Sequence, residues 1–528
     1  VSYISTLIII NDFETAKEIL KIGLSKGLSK NKFLTLKQQL IDHNKSYLQT
    51  KLIEQFKNSY FPEAKKTAKA ILLLNNDDLI SWKVIAAVYQ NEGNFEKALF
   101  ASKQAVRIEP LDSESHNNLG VTFQKINNFK SAKSCFKKAV TLTPDYADAY
   151  FNLGNIYQIL GKFDKAESNF RQALTLDPGN VNAYNNLGNV LQKIKKFEDA
   201  EINYNYAINL NPNFADVFFN LGNLLDTISR YEEAEASYRK AINLNPQNEI
   251  FYNNLGNTLS HNDKFEEAEK NYLQALRLNP NYAEAYSNLG HTYKLANKLD
   301  LSLSCYEKGF LLDKSIKHLF GSLFHMKMKL CIWDNFSEDI NELNNKINNF
   351  ENVIAPFPLQ AIIDDPLLQL KATENFSKKE FPRNNTLPVI KPYLKHKKIR
   401  IGYFSSDFNN HPVSYLTSDL YKKHDRQKFE IHIFSFNSKK KDELNKKISS
   451  QVDFFHEVEY MSDKDVALLS RSLEIDIAID LNGYTRGHRV GIFSLSVAPI
   501  QIGFVGFLGT MGINYFDYII SDKVIIPE

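Results

Sequence analysis

The chain has 528 residues, 43% of them hydrophobic and 24% charged, which is the composition of a globular protein with material for two or three domains. The formal net charge of +3 gives no reason to expect nucleic acid or an anionic membrane as a partner, and no stretch approaches the roughly 20 apolar residues of a membrane span. Three cysteines, Cys135, Cys305 and Cys331, argue against a disulfide framework or a cysteine metal site and predict a reducing, cytoplasmic location.

A 34-residue repeat dominates the first part of the chain. Leucines followed by glycine and prolines both keep this period; they are Leu119, Leu153, Leu187, Leu221, Leu255 and Leu289, and Pro110, Pro144, Pro178, Pro212, Pro246 and Pro280. A period of 34 residues with these positions is the signature of tetratricopeptide repeats (TPR). We expect degenerate helical repeats over residues 1–78 and regular TPR units over 79–316, stacked into a right-handed α-superhelix.

One unit illustrates why the repeat predicts two helices. Tyr150, Leu153 and Tyr157 lie at i, i+3 and i+7, on one face of a helix. Gly161 then interrupts the helix, and a second apolar stripe follows. Pro178 has no amide hydrogen to donate inside a helix, so it marks the start of the next unit.

A row of asparagines accompanies the repeat. One precedes each repeat leucine, about 100° from the core stripe of its helix: Asn118, Asn152, Asn186, Asn220, Asn254 and Asn288. Because an amide offers donors and an acceptor, this row could bind an extended peptide backbone with little regard to its sequence. The alternative is a position that is solvated or makes hydrogen bonds between repeats. Six residues in register favour the binding interpretation.

The period is lost after about residue 314, and the pattern over 317–398 predicts a helical connector interrupted by prolines. From residue 399 onward, short apolar runs alternate with helical ones, which predicts a parallel, Rossmann-like sheet. The fold class is therefore α + α/β. The predicted strands are 399–404, 429–436, 475–481, 500–506 and 516–521, with a helix at 463–474.

Ligands bind beyond the carboxyl ends of strands in such sheets, and three polar loops occupy those positions: "SSDFNNHP" at 405–412, "NGYTRGHR" at 482–489 and "GFLGTMG" at 506–512. His411 lies in the first loop. No P-loop or GxGxxG motif is present. Without other support, His411, His456 and His488 would each be interpreted as structural histidines.

These motifs in their order, "RIGYFSSDFNNHPVSYL", "DIAIDLNGYTRGHR", "APIQIGFVGFLGTMG" and "FDYIISD" behind a TPR region, resemble the TPR-containing O-linked N-acetylglucosamine transferases and the related SPINDLY-type enzymes. The resemblance implies a GT-B glycosyltransferase that is inverting, uses no metal or other cofactor, and takes UDP-GlcNAc as co-substrate. It implies that His411 is the catalytic base or orients the sugar. It also implies that the asparagine row binds acceptor proteins in the TPR groove. The implied donor-binding loop consists of Gly506, Phe507, Leu508, Gly509 and Thr510.

Two departures from the family pattern are visible. Leu508 stands where the family usually has proline, and Arg471 aligns with a second family histidine. The resemblance also leads us to expect that residues 399–528 form only the first lobe of the catalytic domain, with the second lobe missing. Two alternatives stay open: a non-catalytic TPR scaffold, and a fucosyltransferase that uses GDP-fucose.

Overall fold

The computed structural model describes residues 2–9, 11–26, 28–391, 393, 396–437, 441–507 and 509–521. The chain divides into two compact units, residues 1–213 and residues 214–528. No helix of the described residues is long and apolar enough to cross a membrane.

The regular secondary structure described in the first unit consists of helices. Their bounds are α1 Ser2–Ile9, α2 Phe13–Ser25, α3 Lys30–Lys57, α4 Phe61–Leu74, α5 Leu79–Asn91, α6 Phe95–Ile108, α7 Ser113–Lys125, α8 Phe129–Leu142, α9 Ala147–Ile159, α10 Phe163–Leu176, α11 Val181–Lys193 and α12 Phe197–Leu210. From α5 onward the helices alternate between 13 and 14 residues, as two helices in each 34-residue unit require. In contrast, α3 is a single helix of 28 residues.

The second unit continues the pairs and then changes character. Its helices before the sheet are α13 Ala215–Thr227, α14 Tyr231–Leu244, α15 Glu249–His261, α16 Phe265–Leu278, α17 Ala283–Leu295, α18 Leu299–Leu312, α19 Leu319–Lys329, α20 Phe336–Asn348, α21 Pro356–Gln360 and α22 Pro366–Glu380. The last four lie in the irregular region between the repeats and the sheet.

The repeat glycines explain how the two helices of a pair approach. In α11, a Cβ atom on Gly188 would lie 2.5 Å from Cε1 of Tyr204, which is fully buried in α12. Equivalent contacts recur between Gly154 and Phe170, and between Gly222 and Tyr238. The absence of a side chain at the glycine therefore makes room for an aromatic ring, which fills the core of each pair.

The described residues form a sheet of six strands, all in parallel pairs, in the order β3-β2-β1-β4-β5-β6. The strands are β1 Ile399–Ser405, β2 Phe429–Ser435, β3 Phe454–Glu457, β4 Ile477–Asp480, β5 Ile500–Phe504 and β6 Tyr518–Ile520, and the helices between them are α23 Pro412–Thr417, α24 Leu420–Lys423, α25 Glu443–Ser449, α26 Asp463–Ser472 and α27 Val490–Ser494. All five predicted strands are present within a few residues of the expected bounds, and the helix predicted at 463–474 is α26. The parallel Rossmann-like sheet is thus confirmed, and β3 is a strand that the sequence analysis missed.

Candidate functional site at the switch point of the sheet

The direction in which the chain crosses the sheet changes between β1 and β4, at the centre of the sheet. From β1 the chain passes to β2 on one side, and from β4 it passes to β5 on the other, so the loops after these two adjacent strands diverge. Ligands of parallel sheets bind at such a topological switch point. The loops "SSDFNNHP" and "NGYTRGHR" meet here. The sequence analysis predicted this, because each loop follows a predicted strand.

A buried hydrogen-bond network ties the two loops together. Asn482 is fully buried, and its Oδ1 accepts a hydrogen bond of 2.8 Å from the backbone N–H of Ser406. Its Nδ2 donates to Oδ2 of Asp407 at 2.8 Å and approaches Oγ of Ser406 at 3.1 Å. Oγ of Ser406 also donates to Oδ1 of Asp407 at 2.8 Å. Both oxygens of the Asp407 carboxylate are therefore held in place.

Asp480 is the last residue of β4 and precedes Asn482 of this network by two positions. It is 3% exposed, and it accepts hydrogen bonds from the backbone N–H groups of Asn482 at 2.9 Å and Gly483 at 3.1 Å. Burial raises the pKa of Asp480 to about 7, with a smaller contribution from the charge of Asp407, against the opposing effect of the two N–H donors. The turn that carries Asn482 is thus fixed by a carboxyl group that changes protonation near neutral pH.

His411 follows Asp407 by four residues and is the N-cap of α23. Its Nδ1 accepts a hydrogen bond of 3.3 Å from the backbone N–H of Val413 and lies 3.6 Å from Oδ2 of Asp407. The imidazole is 42% exposed, so it is accessible to a ligand. Because Nδ1 accepts from Val413, a neutral ring carries its proton on Nε2, which makes Nε2 a donor in this arrangement.

The predicted donor loop lies against the same turn. A Cβ atom on Gly506 would overlap the backbone oxygen of Leu481, so this position requires glycine. Phe507, Gly509 and Thr510 line a cavity of about 1060 Å³ whose wall also includes Asp480. Leu508 lies outside the described residues. His411 is not among the residues that line this cavity, so the described structure does not place the two predicted parts of the donor site in one pocket.

All six residues of the asparagine row are half-buried. In the first unit, Nδ2 of Asn152 donates to Oδ1 of Asn117 at 3.0 Å, and Nδ2 of Asn186 donates to Oδ1 of Asn155 at 2.8 Å. The second unit has the same type of contact, from Asn254 to Asn223 at 2.8 Å and from Asn288 to Asn253 at 3.1 Å. Hydrogen bonding between repeats is therefore part of the role of these four asparagines.

Two other residues singled out from the sequence, Arg471 and His456, contact other groups of the protein. Arg471 donates to the backbone oxygens of Leu495 at 2.6 Å and Ser496 at 2.8 Å. His456 lies 3.1 Å from Nδ1 of His432. The sequence analysis missed Asp407, Asp480 and Asn482 as site residues, although each belongs to a polar group at the end of a predicted strand.

Comparison with known proteins identifies two kinds of family in the chain. Residues 379–528 match the model of Glycosyl transferase family 41, and TPR models match segments within 126–316. A probable UDP-N-acetylglucosamine–peptide N-acetylglucosaminyltransferase of Arabidopsis thaliana, SEC, is 33% identical over 221 residues, which cover 39% of this chain and 22% of that protein. The UDP-N-acetylglucosamine–peptide N-acetylglucosaminyltransferase of Caenorhabditis elegans is 35% identical over 132 residues, covering 25% and 12%.

Among solved structures, an O-GlcNAc transferase of Thermobaculum terrenum covers 66% of this chain and 54% of its own, with 20% identity and a TM-score of 0.30, a likeness too weak to bear on function. The matched segments span less than a quarter of the length of either curated relative. The chain thus carries tetratricopeptide repeats followed by a glycosyl transferase family 41 domain, and it is homologous to the UDP-N-acetylglucosamine–peptide N-acetylglucosaminyltransferases.

Proposed function

We propose that this protein is an inverting, metal-independent protein O-glycosyltransferase of the cytoplasm. It transfers N-acetylglucosamine from UDP-GlcNAc to Ser or Thr hydroxyl groups of proteins bound along the TPR groove, and it needs no cofactor besides this co-substrate. The observation that carries the proposal is the position of His411, an accessible imidazole at the switch point of the sheet within the family 41 domain. The homology to peptide N-acetylglucosaminyltransferases supports the choice of donor and acceptor.

In the proposed reaction, the acceptor oxygen forms a bond to the anomeric carbon while the bond from that carbon to UDP breaks and UDP takes the electron pair. Configuration inverts, and the proton of the hydroxyl must leave. His411 could act in two ways. With Nδ1 accepting from Val413, its Nε2–H donates and orients the sugar. With Nδ1–H turned toward Asp407 at 3.6 Å, Nε2 is free to accept the proton as a general base, a role worth roughly 10²–10⁴-fold in rate.

The asparagine row supplies the proposed acceptor contacts. The hydrogen bonds between neighbouring repeats fix the orientation of the Asn152 and Asn288 amides, so their remaining N–H and carbonyl groups are pre-organised to meet a peptide backbone. Backbone contacts of this type select an extended conformation rather than a side-chain consensus. We therefore propose that many acceptor sequences bind.

Two substitutions in the intact protein separate the two roles of His411. His411→Ala removes both roles and should abolish transfer from labelled UDP-GlcNAc to peptides while peptide binding stays near normal. His411→Gln keeps an N–H donor but no base, so it should keep part of the activity if the ring orients the sugar, and none if it is the base. Turnover retained by His411→Ala would contradict the assignment of this residue.

The same assay tests the alternatives for the whole protein. Parallel reactions with labelled GDP-fucose identify the donor, and transfer of fucose alone would replace the GlcNAc proposal. Peptide binding by the wild-type protein without transfer from either donor would favour the scaffold alternative.

A further inference from the structure

A small pocket lies in the repeats of the second unit, where α16, α17 and α18 meet. Its volume is about 330 Å³. The side chains that line it include Leu273, Leu276, Arg277, Leu289, Leu301 and Cys305. None of the described residues of its lining belongs to the asparagine row or to the two switch-point loops. We refer to it as the leucine pocket.

The repeat register shows that two leucines of this pocket replace polar or charged residues. Steps of 34 residues back from Leu273 in α16 give Arg239, Asn205, Arg171 and Lys137. The same steps back from Leu301 in α18 give Glu267, Glu233, Asp199 and Lys165. Both positions are therefore polar in the four preceding repeats, and both become leucine at the same junction.

Ion pairs join these two positions at earlier junctions. The guanidinium of Arg239 in α14 donates a hydrogen bond of 2.9 Å to Glu267 in α16. In the first unit, Arg171 of α10 lies 3.8 Å from Asp199 of α12. Between α16 and α18 the two leucines stand in place of such a pair. Their side chains are 38% and 49% exposed, and both line the pocket.

The rest of this junction keeps the pattern of the repeat. Nζ of Lys298 lies 2.9 Å from Oε2 of Glu269, as Nζ of Lys264 lies 2.8 Å from Oε2 of Glu235 one repeat earlier. The replacement by leucine is therefore local. Because the repeat folds with an ion pair at the two positions elsewhere, packing does not require leucine there. Large apolar side chains that are exposed side by side are typical of a binding surface.

Three cations flank the leucine pocket. Lys270 and Arg277 lie one helical turn before and after Leu273, and Lys308 lies one turn after Ser304, which also lines the pocket. All three cations are exposed, and within the described part of the chain none of them has a carboxylate oxygen within 4 Å. The guanidinium of Arg277 has only a neutral partner, Gln274, at 3.3 Å. An occupant that brings negative charge therefore complements the rim of the pocket.

The spacing of these cations indicates the shape of the occupant. Lys270 and Arg277 are seven residues apart in α16, which is about 10 Å along the helix axis. An occupant must therefore present two carboxylates about 10 Å apart, with an apolar side chain between them. Acidic residues three positions before and four positions after an apolar residue have this arrangement on one face of a helix.

We propose that the leucine pocket binds an acidic amphipathic helix of a partner protein, which inserts one large apolar side chain between Leu273 and Leu301 and directs its flanking carboxylates to the three cations. Burial of an apolar side chain contributes more than an exposed ion pair. The inserted side chain therefore supplies most of the affinity, and the carboxylates supply selectivity. This binding does not depend on the proposed transfer reaction.

Anisotropy of a fluorescent peptide tests the proposal with the intact protein. The probe is an alanine-based helical peptide with Phe at its centre, Glu three residues before it and Glu four residues after it. One reference peptide has Ala in place of Phe, and the other has Gln in place of both Glu residues. We expect binding to weaken about tenfold or more without Phe and about threefold without the carboxylates.

A double variant that restores the ion pair should close the pocket. Leu273→Arg, Leu301→Glu installs the residues that the repeats accommodate one junction earlier, and it should weaken binding of the probe about tenfold or more. The matched control is Leu210→Arg, Leu311→Glu. It adds the same two charges at leucines that are 47% and 74% exposed and lie outside the pocket, so the affinity should stay unchanged.

Cysteine labelling of the wild-type protein gives a second readout that needs no substitution. Cys305 lines the pocket, and Cys135 occupies the equivalent helix position five repeats earlier. Both thiols are half-buried, and burial raises the pKa of each to about 11, so they start from comparable reactivity. Saturating probe peptide should slow maleimide labelling of Cys305 severalfold and leave that of Cys135 unchanged, as measured by peptide mapping.

Several outcomes would overturn the proposal. They are equal affinity for the peptides with and without Phe, equal losses in the two double variants, and equal protection of Cys305 and Cys135. Self-association of the wild type that is lost in the Leu273→Arg, Leu301→Glu variant would assign the pocket to a second copy of the chain instead. Sugar transfer is not part of these tests, so a protein that binds the probe without transferring sugar would refute the proposed function and leave this inference standing.

Discussion

In both the repeats and the sheet, a glycine lets another group approach the backbone closely, but the consequences for stability differ. In the repeats, a glycine of the first helix faces an aromatic ring of the second, and the contact recurs in each regular unit, as for Gly188 against Tyr204 and Gly256 against Tyr272. In the sheet, Gly506 faces the backbone oxygen of Leu481, which belongs to the turn that carries Asn482. A repeated contact spreads the stability of the fold over many units, whereas the turn at the switch point depends on contacts made once.

Gly506→Ala should therefore have the largest effect. The new Cβ atom would overlap backbone rather than a side chain, so the turn at Leu481 or the loop at Gly506 must move. We expect a loss of about 3 kcal/mol or more in the free energy of unfolding of the sheet region. Hydrogen exchange of the β1 and β4 amides measures it.

Gly503→Ala is the matched control for that substitution. It lies in β5, three residues earlier, and a Cβ atom there has no neighbour within 4 Å among the described residues. It should leave the exchange rates unchanged. Equal effects of the two substitutions would show that backbone crowding at Leu481 is not what matters.

Gly188→Ala tests the repeated contact and should cost less. The added methyl group crowds the fully buried ring of Tyr204, while alanine gains about 1 kcal/mol of helix propensity over glycine. We expect a net loss of about 1–2 kcal/mol, confined to exchange in α11 and α12. Gly23→Ala in α2 is the control: its nearest neighbour, Cδ2 of Leu28, would be 3.6 Å away, so this variant should be neutral or stabilised.

The two regions also differ in how far the sequence predicts them. The 34-residue period and the apolar strands predict the helix pairs and the parallel sheet because both depend on local patterns. The strand β3 was missed because it has only four residues, none of them buried. The bond from Asn482 to Asp407 joins positions 75 residues apart, and the bonds from Asn152 and Asn288 to neighbouring asparagines depend on how repeats stack. A local sequence pattern cannot predict such hydrogen bonds, because their partners lie far apart in the sequence or in different repeats.

Acid should destabilise the sheet region through His488. Burial lowers its pKa to about 4, and the charge of Asp463 only partly opposes this. Below pH 6.5 the unfolded chain therefore binds a proton that the folded protein does not, so stability falls as the pH drops from about 6.5 toward 4. We expect His488 to contribute a loss of about 1.5 kcal/mol between pH 6.5 and pH 5. Because the raised pKa of Asp480 acts in the opposite direction over this range, the contribution is measured by urea unfolding as the difference between the wild type and His488→Gln. His43→Gln, at an exposed position of α3, should show no such difference.

The smallest effect is expected for the ion pair between Asp263 and Arg486. Its atoms are 2.6 Å apart, but the two side chains are 65% and 68% exposed, so Asp263→Asn should change the free energy of unfolding by less than about 0.5 kcal/mol. Asp77→Asn is the matched control, since Asp77 pairs with Arg107 at 2.9 Å in the first unit with similar exposure. The two variants should differ in local exchange instead. The Asp263 pair joins a repeat turn to the loop that carries Asn482, so its loss should raise exchange over residues 482–489, whereas the Asp77 pair joins two repeat elements. Unchanged exchange in that loop would mean that the buried bonds of Asn482 alone hold it, and that the repeats contribute nothing to its order.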